Sequence, residues 1–430
     1  MKQINVGLLG FGTVGSGVYR ILNQHEEELK QRANATIKIK KILVNDIEKK
    51  RAVEVDQHVF TQSVDEVIAD PDIDVVIEVM GGISEARDYI LSALRHQKHV
   101  VTANKDLLAL YSGELLTTAA ENQCDLYYEA SVAGGIPIIR SLVGGLASDR
   151  ITKMMGIVNG TTNYILTRMT KEGADYQSVL EDAQALGFAE SDPTGDVEGL
   201  DAARKMVILS TLGFSMKFEL DHVTTEGISQ ITAQDIDYAK RLGYTIKLLG
   251  IAQHDACGVE ISVQPSLLPN DHPLSSVNNE YNAVYIYGEA IGETMFYGPG
   301  AGQLPTATAV VSDLISVIQN KHMGVNGQGV VLPHNPTRLK SDKEIYSKYF
   351  LRFQLKDEAG AFSKVTALLG KYQMSIEKLI QHPLEQQQGV AEIVMTTHRT
   401  NRQAVNDVLS ELQSLDVVYD VLSGYRIEGE

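Results

Sequence analysis

Apolar and polar positions alternate in two different ways along this chain. Over the first 130 residues, short apolar runs bounded by turn residues read as strands: Ile4 to Leu9, Ile37 to Val44, Val75 to Met80, His99 to Thr102 and Leu126 to Glu129. Helical periodicity fills the gaps, over Val14 to Gln31, Val64 to Ile68, Glu85 to His96 and Lys105 to Glu121. Strand and helix in strict alternation predict βαβ crossovers and a mostly parallel sheet. The run from Asp74 to Met80 is apolar nearly throughout, as a strand covered on both faces must be.

From residue 131 to 302 the texture is that of an α+β domain. Strand-like runs (Lys153 to Val158, Val259 to Val263, Ala283 to Glu289) sit among helical ones (Thr162 to Glu172, Tyr176 to Leu186, Gly199 to Leu212, Asp235 to Leu242). A further helical run covers Thr306 to Asn320. Residues 321–347 are richer in Gly, Asn, Pro and Lys and predict a linker. In 348–430, Leu351, Phe353 and Leu355 alternate with Arg352, Gln354 and Lys356, which is period two. A helix (Ala361 to Tyr372), two strands (Ser375 to His382, Val390 to His398), a helix (Arg402 to Leu415) and a strand (Val417 to Ile427) follow. The order βαββαβ is ferredoxin-like.

Composition narrows the class. The 430 residues predict about three domains at roughly 150 residues each. Thirty-eight basic against 55 acidic residues give a net charge of −17, which argues against nucleic-acid or anionic-membrane partners. Two distant cysteines, Cys124 and Cys257, make neither a disulfide framework nor a zinc pattern, so a reducing, cytoplasmic setting is expected. The N-terminus runs straight into a glycine turn and carries no signal-peptide pattern, and no apolar stretch is long enough to span a membrane.

Three places carry chemistry. Gly10-Phe-Gly12-Thr13-Val14-Gly15 follows a strand and opens a helix, the setting of a dinucleotide turn. Gly10 allows the turn, Gly12 lets backbone approach a pyrophosphate, Gly15 lets helix pack on strand, and the helix N-terminus faces the phosphates. The second strand ends Val44-Asn45-Asp46 with Lys49, Lys50 and Arg51 close behind, which leaves NAD and NADP both open. Lys105 closes Thr102-Ala-Asn-Lys at the carboxyl end of a strand, where open α/β sheets bind ligands. Finally, Glu190, Asp192, Asp196, Glu198 and Asp201 fall within 16 residues that end on Lys205. Asp201 and Lys205 are four apart on one helix face, and Lys205 opens an apolar run, so its ammonium must be paired or give up its proton. A lysine of that kind can exchange protons near neutrality, and the spare carboxylates suit a substrate ammonium.

These residues resemble homoserine dehydrogenase. The resemblance rests on Gly10 to Gly15, Thr102 to Lys105, Glu129-Ala-Ser-Val-Ala-Gly-Gly-Ile-Pro137, Gly156-Ile-Val-Asn-Gly-Thr-Thr-Asn-Tyr164, Gly187 to Lys205 and Gly298-Pro-Gly-Ala-Gly302, in family order across about 320 residues. Residues 348–430 are similar to an ACT domain, on Asp357-Glu-Ala-Gly360-Ala-Phe-Ser-Lys-Val365. The resemblance implies a Rossmann domain from 1–130 plus about 303–320, a catalytic and dimerisation domain over 131–302, and reversible NAD(P)-dependent conversion of L-homoserine and L-aspartate 4-semialdehyde. It implies Lys205 as acid/base with Lys105 a second essential lysine at the nicotinamide end. Glu190, Asp196, Asp201 and Thr162 would sit at the substrate, and Gly187 and Gly302 at the cofactor. A monovalent cation, sodium by expectation, would be held by Glu129 with the backbone carbonyls of Val132, Gly134 and Ile136. The ACT domain would bind an amino acid at Gly360, with threonine the natural effector, or serve as an interface in a homodimer or homotetramer. Aspartate-semialdehyde dehydrogenase, the nearest rival, needs a thiolate nucleophile. A catalytically dead amino-acid sensor on the same core would not need both lysines.

Overall fold

The structure, a computed structural model, describes residues 2–329, 333–384 and 387–429. The chain first lays down β1 (Lys2–Leu9), α1 (Thr13–Gln24), α2 (Glu26–Ala33), β2 (Ala35–Leu43), β3 (Phe60–Thr61), α3 (Asp65–Ile68), β4 (Val75–Glu78), α4 (Ser84–Arg95), β5 (His99–Thr102), α5 (Lys105–Glu121) and β6 (Leu126–Tyr127). There follow α6 (Ile138–Arg140), β7 (Ile151–Ile157), α7 (Gly160–Glu172), α8 (Tyr176–Ala185), α9 (Thr194–Val197), α10 (Leu200–Phe214), β8 (Val223–Thr225), α11 (Ala233–Arg241), β9 (Tyr244–Asp255), β10 (Gly258–Pro269), β11 (Tyr281–Gly288), β12 (Gly292–Pro299) and α12 (Gln303–Met323). The last set is β13 (Tyr346–Lys356), α13 (Ala361–Lys371), β14 (Ile376–Pro383), β15 (Val390–Thr397), β16 (Thr400–Asn401), α14 (Arg402–Leu412) and β17 (Val418–Ile427).

Two compact units result. The first holds residues 1–154, 202–223 and 282–337. Its sheet runs β3-β2-β1-β4-β5-β6 with every pair parallel, the doubly wound order of dinucleotide-binding domains. β4 and β5 are buried along their whole length, in keeping with their unbroken apolar runs. α12 shares one core with this sheet: Val310, Leu314, Val317 and Ile318 pack with Ile4, Val6, Leu8 and Val18. Gly17 of α1 admits the α12 backbone so closely that a Cβ there would lie 2.6 Å from the Gln303 carbonyl oxygen. The single helix expected over Val14 to Gln31 is broken at His25 into α1 and α2. α1 buries an apolar stripe of Val18, Ile21 and Leu22, whereas the charged α2 buries only Leu29 and Ala33, so one straight helix could not serve both faces.

The second unit holds residues 155–201, 224–281 and 338–430. β9 and β10 form a long antiparallel hairpin, in register from Gly258 opposite Asp255 to Pro269 opposite Tyr244. The C-terminal strands add to it in the order β10-β17-β13-β15-β14, with β17 parallel to β10 at Ser266–Arg426 and Leu267–Ile427. The ferredoxin-like order is thus present, its two helices covering Leu351, Phe353, Leu355, Ile393 and Met395. Its other face is not polar surface. Arg352 is buried and donates to Glu392 (2.7 Å), Asp235 (2.8 Å), Thr232 (3.1 Å) and Gln234 (2.9 Å), while Tyr238 donates to Glu392 at 2.7 Å.

The segment expected as a linker, 321–347, opens as the last turn of α12 and closes as the start of β13. Between them the Asn326 side chain and the Gly327 N–H donate to Asp125, and Asn335 pairs with Met216 in a short bridge. Leu339 pairs with Val259 in the same way. Val330, Val331 and Leu332 of that stretch lie outside the described residues. No described helix is long and apolar enough to cross a membrane.

Candidate active site

The first unit carries a cavity of about 690 Å³ at the carboxyl edge of its sheet, lined by Gly10, Gly12, Val44, Asn45, Asp46, Lys49, Arg51, Met80 and Gly82 among others. The three motif glycines do different work there. Gly10 has φ +99°, and a Cβ on it would press on the Met80 backbone at 2.7 Å. A Cβ on Gly15 would lie 2.3 Å from the Gly10 carbonyl oxygen. Gly12 meets nothing within 4 Å, so its bareness serves the cavity rather than the fold. α1 starts at Thr13, Val14 and Gly15 with no side-chain cap and no acid in its first turn, leaving its N–H groups and dipole to an anion. These features fit a dinucleotide diphosphate. The adenosine wall is also defined: Arg51 lies over the Phe60 ring at 4.5 Å and donates to the carbonyls of Ile47 (3.0 Å), Lys49 (2.8 Å) and Asp46. Asp46 spends its carboxylate on the Glu48 N–H at 2.9 Å.

Lys105 is the first residue of α5, which Asn104 caps by accepting the Leu107 N–H at 3.1 Å. A buried carboxylate that sequence reasoning passed over, Glu78, steadies this corner. It accepts the Thr102 hydroxyl at 2.6 Å and the Met80 N–H at 2.9 Å, and burial raises its pKa against those bonds. Asp106 and Arg204, the neighbours of Lys105 and Lys205, pair at 2.8 Å, which ties the start of α5 to α10. Lys205 is buried on α10, one turn beyond Asp201, amid Met206, Val207, Ile208 and Leu209. Gly302, with φ +115°, precedes α12.

In the second unit, Asn159 organises the acidic stretch. Its side-chain oxygen caps α7, accepting the Thr162 N–H and hydroxyl, both at 2.9 Å. Its amide nitrogen donates to Asp196 at 2.7 Å and to Asp201 at 2.9 Å. Asp196 and Asp201 are thereby brought together, and Thr162 is buried with its hydroxyl turned to the cap. Glu190 is exposed, its carbonyl held by Gln184, and Gly187 ends α8 in the left-handed region at φ +78°. Asn159 was not among the predicted site residues. Its signal was the Asn-Gly-Thr-Thr helix start, which reads as an ordinary cap.

The loop expected to hold a cation turns through two left-handed residues, Ala133 (φ +55°) and Gly134 (φ +54°). The Glu129 carboxylate is committed elsewhere: it accepts the N–H groups of Ile139 (2.7 Å) and Arg140 (2.8 Å) and the Arg140 guanidinium (3.0 Å). Among the described residues no cluster of three His, Cys, Asp or Glu side chains stands ready for a metal, so any ion here would rely on backbone oxygen. Of the cysteines, Cys124 is buried, which pushes its thiol up to about 11, and Cys257 is exposed. The raised thiol of Cys124 is the opposite of what a thiolate nucleophile needs.

The fold and the glycine cavity are those of a nicotinamide-dependent dehydrogenase. Family models agree: residues 10–129 match the homoserine dehydrogenase NAD-binding domain, 137–315 homoserine dehydrogenase and 349–417 the ACT domain. The chain belongs to the homoserine dehydrogenase family. It is 58% identical over 429 residues to the homoserine dehydrogenase of Bacillus subtilis, covering 100% of this chain and 99% of that one. The crystal structure of a homoserine dehydrogenase from Thiobacillus denitrificans superposes with a TM-score of 0.92 at 38% identity, over 100% of this chain and 99% of that one. A hyperthermophilic archaeal homoserine dehydrogenase in complex with NADPH matches 74% of this chain and 98% of its own, at TM-score 0.63 and 27% identity.

Proposed function

We propose that this protein interconverts L-homoserine and L-aspartate 4-semialdehyde with a nicotinamide cofactor. The observation that carries this reading is the α10 face on which Asp201, joined to Asp196, lies one turn before a buried lysine. The Asp196 and Asp201 carboxylates hold the substrate ammonium, with Glu190 as a third carboxylate of that set. Lys205 takes the hydroxyl proton as the alcohol is oxidised and returns it in the reverse direction. Lys105 orients the same oxygen from the start of α5. Bound in the glycine cavity, the nicotinamide supplies the hydride chemistry. Homoserine-dependent growth of reduced-nicotinamide absorbance tests the activity. Lys205→Ala should lower kcat by about 10³-fold with cofactor binding kept; near-parental turnover would remove the acid/base role.

NADP is the proposed cofactor, since Arg51 and Lys49 line the adenosine wall while Asp46 is turned to its own loop. Arg51→Ala should cut kcat/KM for NADP about tenfold and leave that for NAD unchanged. Sodium is proposed at the 129–136 loop, with Glu129 contributing its carbonyl alongside those of Val132, Gly134 and Ile136; replacing sodium by tetramethylammonium in the assay tests it. For the ACT domain, L-threonine is the proposed effector at Gly360. That glycine starts α13 at φ +93° with open space around it, and threonine-dependent inhibition is the measurement. A homodimer or homotetramer is proposed, with mass measurement in solution as its check.

A further inference from the structure

We propose that Glu78 is a positioning residue with two separable duties: one oxygen shapes the cofactor-facing turn Met80–Gly82, and the other, through Thr102, sets the start of the helix that carries Lys105. The inference rests on the reading above, in which the nicotinamide occupies the glycine cavity and Lys105 orients the reacting oxygen.

Glu78 ends β4 and is fully buried, while Met80, Gly81 and Gly82 just beyond it line the cavity. Gly81 and Gly82 both lie in the left-handed region, at φ +74° and +77°. Two successive glycines leave a turn very free, so its shape depends on the bonds made to it. One Glu78 oxygen makes two of them, accepting the Met80 N–H at 2.9 Å and the Gly81 N–H at 3.3 Å. The Asn104 amide closes the far end by donating to the Gly82 carbonyl at 2.7 Å.

The other Glu78 oxygen accepts the Thr102 hydroxyl at 2.6 Å. That hydroxyl accepts the Asn104 N–H at 3.0 Å, so its single proton is left for the carboxylate. The bonds therefore run in one direction, from backbone N–H to hydroxyl to Glu78. Asn104 is the cap of α5 and Lys105 is its first residue. Glu78 and Thr102 are paired residues of the adjacent parallel strands β4 and β5, so the sheet register itself brings them together. Burial raises the Glu78 pKa, a cost that two apolar side chains at this pairing would avoid. What the carboxylate adds is an acceptor for both connections at once, tying the cofactor turn to the lysine helix.

The test uses the full-length protein, with NADPH binding followed by its fluorescence, homoserine oxidation by steady-state kinetics, and thermal unfolding alongside. Glu78→Met removes both acceptors and should weaken NADPH binding about tenfold. Glu78→Gln keeps an oxygen for the two turn N–H groups and should return NADPH affinity to within about twofold. Thr102→Val keeps the branched strand shape and the turn bonds while it cuts the connection to α5. It should lower kcat about tenfold with NADPH affinity unchanged, and Thr102→Ser should restore kcat. Parental NADPH affinity in Glu78→Met, or parental kcat in Thr102→Val, would overturn the proposal. So would losses of binding and turnover that move together and follow the unfolding midpoint, since that is what a purely structural carboxylate gives. Lys105→Ala separates the two ideas. If it keeps parental kcat, the reading of that lysine fails and takes the proposal with it. If it collapses kcat while Thr102→Val does not, the lysine keeps its role and the positioning by Glu78 falls.

Discussion

Two pairs of carboxylates in this molecule are each held by one shared donor, and the donors differ in kind. Glu129 and Asp313 are both buried, and Arg140 bridges them, at 3.0 Å to Glu129 and 2.7 Å to Asp313. Asp313 also accepts the Glu129 N–H at 2.8 Å. Burial pushes the Asp313 carboxyl up to about 7 and outweighs the pull of Arg140, whose own pKa is raised by the two acids. Asp196 and Asp201 have a neutral amide at the centre instead. The first pair is closed, its charge largely cancelled within the protein, and its work is to lock the loop after β6 to α12. The second shares an uncharged donor, and in the proposed function it meets the substrate ammonium. Glu129, Asp313 and Asp201 are buried and Asp196 is half-buried, and the pairs differ further in the donor between them, a guanidinium in one and an amide in the other.

The comparison can be broken by substitution. Asp201→Asn should cost the most in function, lowering kcat/KM for homoserine about 100-fold, or about 2.7 kcal/mol. Asp201 is buried one turn before Lys205, so the unfolding midpoint measured alongside separates a kinetic loss from a folding one. A fall in stability without a kinetic effect would place this pair in the structural class. Arg140→Met should do the reverse. It leaves buried acids without their cation and should lose about 2–3 kcal/mol in chemical denaturation, at the low end for a broken buried pair because Arg140 is partly solvent-reached. Unchanged stability would show that the bridge is ornamental.

A smaller effect sharpens the rule by applying it to a cation. Lys247 on β9 is fully buried and donates to the Asn163 side-chain oxygen at 3.0 Å and to the Val277 carbonyl. Burial, with Lys171 adding to it, lowers its pKa to about 7. The folded value lies below the unfolded one, so the unfolded chain binds more protons between the two. Its favourable contribution is complete above about pH 10.4 and is lost as the pH falls towards 7. Lys247→Met should therefore flatten the rise of stability with pH between 7 and 10, measured by urea unfolding at several pH values. An unaltered slope would assign the pH dependence to other groups.

How much of this was legible beforehand differs by region. Five of the six parallel strands were, because each is a short apolar run ended by turn residues; β3, only Phe60–Thr61, is too short to show a pattern. The hairpin was only partly so. β9 follows a helical run directly, and Tyr-Thr-Ile-Lys-Leu-Leu-Gly-Ile-Ala lacks alternation, being buried on both faces; a buried strand and a buried helix then look alike. At the site, the glycine turn and the α10 face carry local spacing and were readable. Glu78, Asp313 and Asn159 were not, since their partners come from distant positions or from backbone turned to meet them.

By itself the sequence determined the order of most elements, the turn that must be glycine at residue 10, and the family. Each is set by neighbours within a few residues, through backbone sterics, periodicity or an unmet N–H. Only the tertiary structure decided that Arg352, polar by its period, is buried against Asp235 and Glu392, and that β17 joins β10 so that the C-terminal sheet extends the hairpin. It also decided which donor meets each acid. Arg140 and Asp313 are 173 positions apart, and Asn159 and Asp201 are 42. Whether an arginine or an amide arrives at a carboxylate over such distances depends on packing, which leaves no local trace in the chain.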